Sequence, residues 1–121
     1  MKKVTIIPLH IYPFEVAVAF NLPYNELSKE LQKILPKELH DEIDGLDGRY
    51  DARTYFFEQG GQTVINFHKV SDSLIAHEAF HAVCFILDHI GMQLTRESEE
   101  AYAYLIGYLV DEIHKAKEKI K

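Results

Sequence analysis

The stretch from Ser71 to Gly91 constrains this chain more than any other. Ser71, Asp72 or Ser73 can cap a helix there, and Gly91 can stop one after about Ile90. Phe80, Val83, Ile86 and Ile90 read as its core-facing residues, and Cys84 as a small core residue. At its centre stands His77-Glu78-Ala79-Phe80-His81. Residues four apart lie one turn apart on one helical face, so two imidazoles can converge on a single ion. Glu78 follows the first histidine and can reach past it to a water on the metal, as a general base. The place of both histidines inside an apolar helix argues against a plain pair of surface residues.

Two imidazoles leave a zinc ion short of a third protein ligand. Thr95 can cap a last helix from about Glu97 to Lys117, with Leu105, Leu109 and Ile113 facing inward. Glu97, Glu99 and Glu100 at its start and Lys115 and Lys117 at its end suit the helix dipole. Glu100 lies 19 residues after His81, and two antiparallel helices would bring it beside the pair. Glu97, three residues earlier on a similar face, and Glu99, about 100° away around the helix, compete for the role. Tyr104 and Asp111 share the Glu100 stripe. Tyr104 is a candidate to hydrogen-bond a ligand imidazole, with core packing as the plain alternative. Tyr102 and Tyr108 are alternative donors to an oxyanion, and His68 is a further candidate. His10, His40, His89 and His114 read as surface residues.

With Glu99-Glu100-Ala101-Tyr102-Ala103 as a second motif, the pattern resembles the gluzincin metallopeptidases. The likeness spans roughly residues 50 to 115 and is closest to the minimal zincin cores of small bacterial and phage proteins. It implies His77, His81 and Glu100 as zinc ligands, Glu78 as general base, and a peptide or protein substrate. It also implies a segment of that substrate added to a strand edge. No sequence for gripping a free amino terminus stands out, so an endopeptidase is the expectation.

The remaining chain fits a small α+β domain over residues 1–121. Phe14, Val16, Val18 and Phe20 alternate with Glu15, Ala17 and Ala19, so the first twenty residues read as a first strand, bent by Pro8 and Pro13. Pro23 starts a helix with the stripe Leu27, Leu31, Ile34 and Leu35; Pro36 ends it, with Leu39 and Ile43 turned inward. Asp44-Gly45-Leu46-Asp47-Gly48 reads as a solvated loop without calcium-loop spacing. Thr54–Glu58 and Thr63–Phe67 form a hairpin candidate around Gly60-Gly61. The expected fold is a small, mostly antiparallel sheet packed on the H-E-x-x-H helix and the C-terminal helix, a zincin-like core.

Composition sets the exclusions. With 19 acidic against 13 Lys and Arg residues the formal charge is −6, which disfavours nucleic acid and anionic membranes as partners. The single cysteine rules out an internal disulfide and a cysteine-rich zinc site. The longest apolar run, Ala82–Leu87, is too short to span a bilayer. Met1-Lys2-Lys3 mimics a signal peptide, but Pro8, His10, Pro13 and Glu15 interrupt it. A cytoplasmic enzyme is expected, or a virion-associated one if phage-encoded. The rival expectation is a zinc-binding structural, assembly or interaction protein without catalysis. The oligomeric state is not legible.

Overall fold

The computed structural model describes residues 4–40, 43 and 50–120. The loop expected at Asp44–Gly48 lies outside the described residues. Four strands, β1 (Val4–Pro8), β2 (Glu15–Phe20), β3 (Ala52–Phe57) and β4 (Gln62–Phe67), form one sheet in the order β1-β2-β4-β3. Among the described residues three long α-helices accompany it: α1 (Tyr24–Ile34), α2 (Asp72–His89) and α3 (Glu99–Glu118). The chain is thus α+β.

The sheet is mixed: two of its three strand pairs are antiparallel, as expected, and the central one is not. β1–β2 and β3–β4 are antiparallel, but the central pair β2–β4 is parallel, from Val16↔Thr63 to Phe20↔Phe67. A parallel pair needs a long connection, and here the chain runs through α1 and β3 before β4 returns beside β2. The first strand expected over the opening residues is two strands. After Pro8 the chain reverses: His10 takes a left-handed φ of 43°, and the Leu9 N–H donates to the Phe14 carbonyl at 3.1 Å. The β3–β4 hairpin forms where expected. Gly60 and Gly61 supply positive φ values of 86° and 65°.

Strand alternation sends side chains to two layers. Val16, Val18, Ile65 and Phe67 pack with Ile75, Ala79, Ala82, Val83 and Ile86 of α2 and with Leu105, Leu109 and Ile113 of α3. Ala17, Ala19, Val64, Tyr55 and Phe57 face the opposite way, against Leu27 and Leu31 of α1 and against Leu39 and Ile43. α2 covers β3 and β4, while α3 meets β1 and β2. α2 is capped by Ser71, whose Oγ accepts from the Leu74 N–H at 3.1 Å.

Three core expectations fail. Phe80, Ile90 and Ile34 are 43 %, 42 % and 44 % exposed. α2 is apolar nearly all round, so its sequence does not reveal which side meets the sheet. Ile34 is the last residue of α1, and Ile90 is the C-cap of α2. The last helix is led by Ser98 rather than Thr95, which sits in the preceding turn and donates its N–H to Ser98 Oγ at 2.8 Å. Among the described residues no helix is long and apolar enough to cross a membrane.

Candidate metal centre

α2 presents His77 and His81 on the turn expected for them. Their Nε2 atoms lie 3.1 Å apart, with ring centroids 4.8 Å apart and planes inclined at 74°. Two nitrogens each ~2.05 Å from a tetrahedral zinc stand about 3.3 Å apart, so the pair is nearly at ligand spacing. Both rings are exposed, contrary to the expectation from the apolar helix around them. The sheet takes the other side of α2, which leaves the imidazole side open.

Glu78 behaves differently. It is only 5 % exposed, between α2 and the sheet edge. Thr54 Oγ1 lies 2.8 Å from its Oε1 and 3.1 Å from its main-chain carbonyl. The other carboxylate oxygen, Oε2, stands 3.7 Å from His77 Nε2. Thr54 was not anticipated as part of the site. A threonine in a strand carries no sequence signal of such a contact, which exists only because β3 passes beside α2. β3 is one of the two edge strands, so its outer side has no pairing partner among the described residues.

These groups line a groove of about 260 Å³ with Tyr50, Ala52, Arg53 and Phe85. The Arg53 guanidinium lies over the Tyr50 ring at 4.3 Å. Phe85, one turn beyond His81, stacks on Phe56 at 5.3 Å and forms the apolar wall. A larger concavity of about 400 Å³ lies elsewhere, against Ile6, Ala17, Ile34 and Leu35. Among the described residues no imidazole lines it, and the one cation that does, Lys33, is tied to Glu30 at 2.7 Å. The groove with the histidine pair is the chemically equipped one.

The third ligand is not in place. Among the described residues no three His, Cys, Asp or Glu side chains gather as a metal site. α2 and α3 are antiparallel: His114 meets Asp72 at 3.8 Å, and the Tyr102 hydroxyl donates to the Met92 carbonyl at 2.7 Å. Glu100, two residues before Tyr102, is therefore level with the end of α2, beyond the turn that carries the histidines. Glu97, Glu99 and Glu100 are all exposed there.

The other candidates stand apart as well. Tyr104 is 60 % exposed and does not line the groove. The Tyr108 hydroxyl donates to the Pro8 carbonyl at 2.6 Å, and Tyr102 is committed to Met92. Burial raises the hydroxyl pKa of both, Tyr102 further through Cys84 and Asp88, and Tyr108 further through Glu112. His68 sits at the end of β4, with Nε2 3.1 Å from Asn66 Nδ2. Cys84 is half-buried, and burial followed by the nearby Asp88 raises its thiol pKa, so it is no ready thiolate.

Compared with protein-family models, curated proteins and solved structures, the chain gives no match. The chemistry of the site therefore rests on its own geometry.

Proposed function

We propose that this protein is a zinc-dependent peptidase of minimal gluzincin type, acting within peptide or protein chains. The observation that carries this reading is the convergence of His77 and His81 at 3.1 Å beside a buried, anchored Glu78. Two donors of a zinc set are present: imidazole nitrogens suit zinc, and the rings are open to solvent. His77 and His81 would hold the ion; Glu100, the third ligand that the gluzincin resemblance implies, stands level with the end of α2 in this structure.

Zinc bound there supplies charge that polarises a scissile carbonyl and acidifies water. The protein supplies the rest. Glu78 accepts a proton from the attacking water at Oε2, the oxygen not engaged by Thr54, and returns it to the departing amine. A peptide laid along the open edge of β3 passes the groove, held by main-chain hydrogen bonds. Phe85 and Ala52 offer it apolar contact.

The test combines elemental analysis with cleavage of fluorophore-labelled casein, on protein purified without a histidine tag. The expected result is about one zinc per chain in the wild type and none in His81→Ala. Glu78→Gln keeps its zinc and loses at least ~100-fold in cleavage rate. A folded wild type that takes up no added zinc overturns the reading. The other reading is a zinc-binding structural, assembly or interaction protein without catalysis. That reading wins if zinc binds and nothing is cut.

A further inference from the structure

We infer that Thr54 is the positioning residue of Glu78, fixing which carboxylate oxygen faces the histidine pair. This inference rests on the peptidase reading above.

Thr54 lies mid-strand in β3, opposite Ile65, on the sheet side that faces α2. Its β-branched side chain has few rotamers, so the hydroxyl is held where the strand puts it. That hydroxyl has one hydrogen and two acceptors in reach, Glu78 Oε1 at 2.8 Å and the Glu78 carbonyl at 3.1 Å. The carbonyl already accepts within the helix, whereas the carboxylate is buried and needs a donor. The carboxylate is also the shorter and charge-assisted contact. With Oε1 tied to β3, Oε2 is the oxygen left toward His77. Without the tie, the last torsion of Glu78 is free to turn either oxygen, or to lift the carboxylate toward water.

A plain structural tie between α2 and β3, through either acceptor, would change stability without changing kcat. The two roles separate experimentally. Thr54→Val keeps the branched shape and removes the donor; Thr54→Ser keeps the donor. Urea unfolding of the zinc-free full chain is measured for wild type, Thr54→Val, Glu78→Ala and the double variant. A contact to the carboxylate gives a coupling of about tenfold in the unfolding equilibrium constant. A contact to the carbonyl alone gives none, because Glu78→Ala leaves that carbonyl in place, and this result overturns the inference.

In the zinc-loaded protein, Thr54→Val lowers kcat on labelled casein about 10–100-fold, with KM and zinc content held, and Thr54→Ser restores most of it. If the wild type cuts casein and Thr54→Val cuts as fast, the positioning role is wrong while the peptidase reading stands. If the coupling is present but zinc-loaded wild type cuts nothing, the peptidase reading fails and takes this role with it.

Discussion

Gly61→Ala is the substitution whose cost the structure sets most directly. Gly61 has a φ of +65°, where a Cβ is disfavoured by about 1–2 kcal/mol. A Cβ built there would lie 2.8 Å from Phe14 Cε1 and 3.0 Å from His89 Cδ2. Neither ring moves freely. Phe14 meets His89 edge-on at 5.7 Å, and His89 in turn meets Phe56 at 5.5 Å. Forcing a methyl into such a place costs roughly 1–2 kcal/mol more, within the usual overpacking range. Reduced freedom of the unfolded chain offsets about 0.5 kcal/mol. The net loss is about 1.5–3.5 kcal/mol, a large part of the ~5–15 kcal/mol that holds a domain folded.

Gly60→Ala is the internal control. Its φ is +86°, but the nearest atom to a Cβ there is Gln62 Cγ at 3.9 Å. It should cost about 1 kcal/mol, from the backbone alone. Urea unfolding followed by far-ultraviolet circular dichroism and tyrosine emission suits a chain with seven Tyr and no Trp. The reasoning is refuted if the two variants unfold within about 0.5 kcal/mol of each other, since the rings would then be no obstacle. The consequence reaches the groove, because Phe56 carries Phe85 by stacking.

Three further outcomes test the site and its surroundings. Glu100→Ala should weaken zinc retention at least tenfold in competition with a chromophoric chelator; loss in Glu97→Ala or Glu99→Ala instead would move the third ligand to that residue. Tyr108→Phe removes the 2.6 Å bond to the Pro8 carbonyl and should cost about 1 kcal/mol in urea unfolding. It should leave casein cleavage intact, and a collapse of kcat would restore Tyr108 as an oxyanion donor. Tyr102 has its hydroxyl pKa raised in the fold by burial. The unfolded chain therefore releases that proton first, so this contribution is whole below about pH 10 and is lost as pH rises toward the folded value. Tyr102→Phe should flatten the alkaline fall of the melting temperature, and an unchanged slope would contradict the assignment.

What the sequence displayed and what it hid divide along a physical line. Local signals were legible: Gly60-Gly61 fixed the hairpin, Ser71 capped α2, and Leu105, Leu109 and Ile113 lie inside as their spacing implied. Long-range pairing was not. The parallel register of Val16 with Thr63 depends on how the chain returns through α1, and nothing in either segment encodes it. The site divides in the same way. His77 and His81 are one turn apart and converge by helix geometry alone. Thr54 is 24 residues from Glu78, and only the docking of α2 on β3 joins them. The helix order put Glu100 on an antiparallel neighbour, but the level at which two helices pack is set by side-chain fit, which the 18-residue spacing does not specify.

The burial of Glu78 bears most on the choice between an enzyme and a metal-binding scaffold. Its neighbours on the inward side of α2 are Ile75, Ala79 and Ala82, all fully buried. A carboxylate at that position is costly to desolvate, and one threonine hydroxyl compensates it only in part. An apolar residue of similar length would pack there without that penalty. A scaffold that needed only the two imidazoles would gain stability from such an exchange, with no loss of the exposed His77–His81 pair. Glu78→Met should accordingly raise the unfolding free energy of the zinc-free chain by about 1 kcal/mol or leave it unchanged. With zinc uptake preserved and casein cleavage gone, that variant would mark Glu78 as a group held at the expense of stability for its chemistry. A Glu78→Met chain that unfolds several kcal/mol more easily would mean that the carboxylate is structural, and the case for a general base would lose its physical ground.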